Sequence, residues 1–236
     1  MEELRSLADL LELQAVDLQI DRLLHERESL PALGQYRAAH EHAESVSGAL
    51  AEAEGDLRQT SLALDKTEGE LEITTERVGA EQNRLYAGGI SARDADYLRR
   101  EVEMLDRKQR EMEDLALDLM EKREEQDAAV TDLRARVEEA TTSKEELEAV
   151  IKEAWRGIDV QIATKEARKS SVAPSIPEEL LELYDDLRGS KEGVAVGELS
   201  DGICGGCHLR LTAAEVLEAK RSDPARCIHC RRILVT

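Results

Sequence analysis

Four cysteines are the residues of this sequence whose type and spacing announce chemistry. Cys204-Gly205-Gly206-Cys207 and Cys227-Ile228-His229-Cys230 are two CxxC pairs with nineteen residues between them, and the first 203 positions hold no cysteine. Two residues between ligands let one tight loop aim both sulfurs at one ion, and two such loops complete a tetrahedron. The spacing therefore predicts one Zn2+ bound by Cys204, Cys207, Cys227 and Cys230. A closed set of four thiolates leaves no position for water or substrate, so this zinc is expected to be structural. A redox CxxC is the competing reading, but such motifs sit singly at a helix N-terminus within a βαβ unit, and neither feature occurs here. His208 and His229 lie beside or between the ligands and are expected at the surface or supporting the cysteines, which already fill the site.

The metal needs a scaffold, and the residues around it supply a small one. Gly193 to Leu199 reads as a strand, Ser200-Asp201-Gly202 as a turn and Ile203 as the start of a second strand. Thr212 with Glu215 forms a capping box for a short helix through Arg221, and Arg232 to Val235 reads as a closing strand. So few apolar residues cannot fold alone, and metal binding is expected to supply much of the folding energy. Residues 200–236 carry six basic side chains, Arg210, Lys220, Arg221, Arg226, Arg231 and Arg232, against Asp201, Glu215, Glu218 and Asp223. That is a net +2, brought to about zero by four thiolates and one Zn2+.

The preceding chain is helical by its apolar period. Leu50, Leu57, Leu64, Leu71, Val78 and Leu85 recur every seven residues, with Ala53, Thr60, Thr67, Thr74 and Glu81 between them. This narrow stripe is a coiled-coil seam. Tyr86-Ala87-Gly88-Gly89-Ile90 stops the helix, and Ser91 with Asp94 starts another. The seam resumes at Leu98, Leu105, Met112, Leu115 and Leu119, then runs through Val130, Leu133, Val137 and Ala140 to Ile158 in what reads as a shifted register, a stutter. An earlier helix carries Leu10, Leu13, Ile20 and Leu24 and is expected to stop near Leu30, before Pro31 and Gly34. The expected fold is mainly α. A long antiparallel coiled-coil hairpin occupies 1–172 (helices about 4–30, 37–86 and 92–169, tip 87–91), a neck with a short helix 173–192, and a zinc ribbon with short β-strands 193–236. The returning helix is long enough to pair with both others, giving a rod on the order of 100 Å.

Composition narrows the function. With 52 acidic and 32 basic residues the 236-residue chain has a net charge of −20, and five aromatics include no Phe. Such a chain is a poor general nucleic-acid coat and a poor stacking platform for single strands. No phosphate-binding glycine loop or catalytic constellation is found, and His25, His40 and His42 read as solvated helix residues, so neither an enzyme nor a small-molecule substrate is expected. The start, Met1-Glu2-Glu3-Leu4, lacks a secretory n-region and no apolar run could span a bilayer, which points to the cytoplasm. From Arg84 to Arg110, however, seven basic residues face five acidic ones. The hairpin tip, with Gly88, Gly89, Arg93, Arg99 and Arg100, is a candidate contact surface.

The opening Leu13-Gln14-Ala15-Val16-Asp17, the tip Leu85 to Ile90 and the ending Cys204-x-x-Cys207-His208 … Cys227-Ile228-His229-Cys230-Arg231-Arg232 together resemble the bacterial C4-type zinc ribbon proteins with an N-terminal coiled-coil hairpin. The resemblance covers nearly the whole chain. It departs at Ile228 and Arg231, where that family has Pro and Gly. It implies zinc and an elongated adaptor, since relatives are described as nucleic-acid-binding proteins or as adaptors and chaperones for a sigma factor and for secretion or flagellar machinery. The expected function is a non-enzymatic zinc-binding adaptor with a protein partner, in transcription, secretion or chaperoning. The alternative is nucleic-acid binding through the basic residues of the ribbon.

Overall fold

The computed structural model describes residues 2–235 and is mainly α, with α1 (Glu2–Glu28), α2 (Pro31–Tyr86), α3 (Ala92–Val172), a 3-10 turn (Ala173–Ser175), α4 (Glu178–Ser190), β1 (Val196–Ser200), β2 (Ile203–Cys204), α5 (Ala213–Ala219) and β3 (Ile233–Val235). Its contacts divide the chain into two units, Met1–Gly34 with Glu148–Thr236, and Gln35–Leu147. The division cuts through α2 and α3 rather than between helices and metal module, because α1 and the end of α3 share a core with α4 and the strands. None of the helices among the described residues is long and apolar enough to cross a membrane.

The unit Gln35–Leu147 is the antiparallel pair of α2 and α3. Thr60, Leu64, Thr67, Thr74 and Val78 of α2 are buried, as are Leu98, Val102, Leu105, Met112, Ala116 and Val130 of α3. Threonine is tolerated in this seam because the hydroxyls of Thr67 and Thr74 donate to the carbonyls of Ala63 and Glu70 at 2.9 and 2.8 Å, leaving their methyl groups for packing. Thr74 Oγ1 lies 3.8 Å from Met112 Sδ, and Arg77–Glu101 and Arg134–Glu54 pairs at 2.8 and 2.7 Å fix the same register on the surface.

Two expectations about α3 are corrected. No stutter separates Leu119 from Val130: the covered positions run 112, 116, 119, 123, 126 and 130, an unbroken alternation of four and three. Ala116, not Leu115, holds the seam position, and Leu115 is 48% exposed. The shift read from the sequence arose because the polar Arg123 and Gln126 occupy seam positions that an apolar pattern skips. The α2 start is corrected too. It begins at Pro31 rather than near 37, since a proline at the first helical position needs no N–H partner, and Gly34 costs only about 1 kcal/mol in a helix of 56 residues. Ser29 closes α1, its amide and hydroxyl donating to His25 O at 2.9 and 2.6 Å.

In the other unit, Leu10 and Leu13 of α1, Val172 at the end of α3, Tyr184 and Leu187 of α4, and Ala195, Val196 and Ile233 form one buried cluster. The single tryptophan ties α1 to α3: Trp155 Nε1 donates to Arg27 O at 3.1 Å while the Arg27 guanidinium lies 4.9 Å from its ring centre. The helix α4 passes through Gly189 without a break. It ends at Ser190, and just beyond it Glu192 and Gly193 are both left-handed at φ 56° and 83°, with Gly193 N donating to Arg188 O at 3.0 Å. Three strands in the order β2-β1-β3 follow, β1 antiparallel to β2 and parallel to β3.

Candidate metal centre

Each cysteine pair is built by the same turn. In the first, Cys204 N donates to Leu209 O at 3.0 Å and His208 N to Cys204 O at 2.8 Å; in the second, Cys227 N donates to Arg232 O at 2.9 Å and Arg231 N to Cys227 O at 2.8 Å. Both turns need a left-handed residue directly after the second cysteine, and His208 (φ 59°) and Arg231 (φ 66°) fill that place. The first turn is pressed against β1, so that a Cβ on Gly197 would stand 2.6 Å from Gly206 N. No other residue type fits there.

The four sulfurs lie within 4.8 Å of one another, with Cys204–Cys230 at 4.0 Å and Cys207–Cys227 at 3.9 Å. Tetrahedral thiolates about 2.3 Å from a central ion stand about 3.8 Å apart, so the residues fit a four-coordinate metal. They can hold a metal ion. Burial pushes the Cys204 thiol up to about 12 and raises that of Cys227 as well. For Cys230 burial also acts upward, but a backbone hydrogen bond from Arg232 and the neighbouring sulfurs of Cys227 and Cys207 outweigh it, and its thiol titrates lower than usual. A metal entering this site must displace protons from buried thiols, which makes its affinity fall in acid.

The expected basic residues do not form one set. Arg210, Lys220, Arg221 and Arg231 are exposed, whereas Arg226 and Arg232 are half-buried. Arg232 donates to Val194 O at 2.7 Å and Lys191 O at 3.1 Å, fastening the second turn to the segment before β1, and Arg210 donates to Asp201 O at 3.1 Å. Arg226 Nε is buried without a hydrogen bond. Gly88, Gly89, Arg93, Arg99 and Arg100 are exposed in the other unit. His208 and His229 are exposed, with His229 3.8 Å from Glu215. That glutamate completes the capping box on Thr212, whose backbone N–H holds its carboxyl below the usual range.

Leu13 lies on the apolar stripe expected of the first helix, whereas Gln14 and Asp17 have no role legible in the sequence, and the structure gives them one. Leu13 is fully buried in the core. The Gln14 amide pairs with β1 as a strand would, accepting from Ala195 N and Val196 N at 2.7 Å each and donating to Val196 O at 2.9 Å. Asp17, only 1% exposed, accepts from Tyr184 OH at 2.7 Å and Lys169 Nζ at 2.8 Å, with Arg188 at 3.6 Å. Glutamine and aspartate on one helix face thus fix the base of the metal module and α4. A buried stripe containing two polar residues is the signal that could have found them.

A long antiparallel helical hairpin followed by a four-thiol module that could hold a metal ion defines a class of coiled-coil hairpin protein. The chain belongs to the CT398-like coiled coil hairpin domain family, whose pattern matches residues 13–192 and stops before the cysteines. It is 26% identical to the Rv2229c protein of Mycobacterium tuberculosis over 232 residues, 96% of this chain and 93% of that one. A solved structure from Mycobacterium smegmatis superposes with TM-score 0.82 at 24% identity, covering 99% of this chain and 98% of that one. CT398 of Chlamydia trachomatis does so with TM-score 0.77 at 20% identity, covering 97% and 96%. Those two likenesses establish the fold.

Proposed function

We propose that this protein is a non-enzymatic adaptor in which a structural Zn2+ folds the C-terminal module as a zinc ribbon and the helical hairpin holds another protein. The observation that supports it best is the closed sulfur set, with Cys204–Cys230 at 4.0 Å and Cys207–Cys227 at 3.9 Å and neither turn carrying another ligand. All-thiolate tetrahedral sites suit zinc and offer no open coordination position for catalysis. Reduced, metal-paired cysteines belong in the cytoplasm. Nucleic-acid binding through the ribbon is the weaker reading, because Arg232 and Arg226 turn inward and leave four exposed cations.

The test has two parts. Elemental analysis of freshly purified protein should give about one Zn per chain, and Cys204→Ser or Cys227→Ser should lower it; a metal-free wild type overturns the zinc assignment. The full chain, used as bait in nuclease-treated native extract, should capture a protein partner, and this should survive changing Arg210, Lys220, Arg221 and Arg231 to Ala. Loss of capture with nuclease, or with those four changes, would instead favour the ribbon as a nucleic-acid site, with affinity falling steeply in salt.

A further inference from the structure

The hairpin tip carries a surface that the chain's own packing leaves uncovered. Between Arg84 and Arg110 there are seven basic and five acidic residues, whereas 35–83 and 111–147, the rest of the same unit, hold nine basic and twenty-four acidic. On α3, Arg93, Tyr97, Arg100, Met104 and Lys108 follow at spacings of four, three, four and four. At about 100° per residue these five fall in a stripe about 80° wide, roughly a third of a turn from the buried Leu98, Val102 and Leu105. Tyr97 is 68% exposed and Met104 54%. Among the described residues Arg93 and Lys108 have no ion pair, and Arg100 is met only by Asp96 of its own helix, at 2.8 Å in solvent. Single exposed apolar residues are ordinary. Two of them seven residues apart, each flanked by cations, in the one basic stretch of an acidic unit, are not scattered exposure.

We propose that this stripe docks an acidic amphipathic helix of a partner protein, which lays two apolar residues seven positions apart over Tyr97 and Met104 and sets carboxylates against Arg93, Arg100 and Lys108. The inference rests on the adaptor reading and supplies its partner's chemistry. Spacing selects a helix, since a two-turn repeat is what one helix offers another. Charge selects its sign and length. The stripe spans 16 residues, about 23 Å from first to last, and an acidic helix of that length ends where the acidic flanks begin. A nucleic acid laid back along the hairpin from the tip runs beside flanks that hold twenty-four acidic and nine basic residues, and exposed like charges repel it wherever it comes within about 8 Å of them. A second copy of this chain would bring one net charge of −20 against another.

The probe is a synthetic capped peptide of about 20 residues, helical, with two leucines seven apart and glutamates on both flanks, titrated by fluorescence anisotropy into full-length zinc-loaded protein. Binding should saturate, and Tyr97→Ala/Met104→Ala should weaken it by about tenfold or more. Arg93→Glu/Lys108→Glu should weaken it similarly and restore binding to a peptide with lysines in place of the glutamates. Leu62→Ala, an exposed leucine on the acidic flank, should leave it unchanged. All these positions are exposed on helices, and an unaltered helical circular-dichroism signal certifies each variant. The proposal is overturned by no saturation below about 1 mM, by equal affinity for a scrambled peptide, by unchanged affinity in Tyr97→Ala/Met104→Ala, by tighter binding of a single-stranded oligonucleotide of similar length, or by self-association through the same residues in sedimentation. Should the Tyr97→Ala/Met104→Ala chain still capture the wild-type partner from nuclease-treated extract, the stripe assignment falls and the adaptor reading stands; should the wild-type chain capture none, both fall.

Discussion

Arg231 and Tyr184 show how much single positions carry. Arg231 occupies a left-handed conformation at φ 66° that an L side chain adopts at a cost of roughly 1 kcal/mol, and its place is the one where the resembling family has glycine. Arg231→Gly should therefore stabilise the metal-bound module by about 0.5–1 kcal/mol despite the added freedom of its unfolded chain. Competition with a chelator of known zinc affinity measures this; an unchanged or weakened hold on the metal would show that the arginine side chain compensates for its backbone. The Tyr184 hydroxyl is held well above the usual phenol range by burial first and then by its hydrogen bond to Asp17. A raised value means that the folded state keeps the proton more tightly, so this contribution is complete below pH about 10 and drains away as pH rises beyond it. Tyr184→Phe should cost about 1.5–3 kcal/mol at neutral pH, the worth of a hydrogen bond to a charged group. In melting experiments the gap between variant and wild type should narrow above pH about 10.

Among the elements, the α2–α3 seam is the one whose polar content needs explaining. Its threonines satisfy their own hydroxyls on the preceding turn. Gln126 does not follow that rule: its Oε1 is buried and accepts no hydrogen bond. An unpaired buried polar atom costs about 1–3 kcal/mol, so Gln126→Leu should raise the melting temperature of the hairpin, with a gain of about 1–2 kcal/mol. A fall in melting temperature would mean that the glutamine holds the register at this level. The same polar stretch explains why the sequence reading inserted a stutter. Apolar periodicity locates a seam only where apolar residues fill it, and Arg123 with Gln126 removes two consecutive markers. By contrast Leu64, Val78, Leu98 and Leu105 were legible at once, because burial along a straight helix pair follows the heptad with no help from distant residues.

For the whole molecule, charge is the property that neither residue nor element reveals. The unit Gln35–Leu147 holds sixteen basic and twenty-nine acidic residues. Its exposed ion pairs, such as Arg77–Glu101 and Arg134–Glu54, contribute about 0–1 kcal/mol each and weaken with salt. The surplus of thirteen like charges weakens in the opposite sense and outnumbers them. Melting temperature should therefore rise between about 0.02 and 0.3 M sodium chloride; a decrease would show that the pairs outweigh the repulsion. That acidic background also gives the small basic stretch at the tip its significance, since a net +2 means little except beside twenty-four carboxylates on its flanks.

The sequence by itself determined the helical hairpin, the two-pair cysteine site and the capping box at Thr212, because each depends on residues close in the chain and on a fixed period or spacing. Only the tertiary structure decided what Gln14 and Asp17 do, since their partners stand more than 150 positions away at Tyr184, Lys169 and Val196. It also decided which arginines face solvent. Arg231 and Arg232 are neighbours in sequence, yet one side chain is exposed and the other is bound to the carbonyls of Lys191 and Val194. Composition counts both alike, and only the packing of the second turn against the segment before β1 separates a structural cation from a free one.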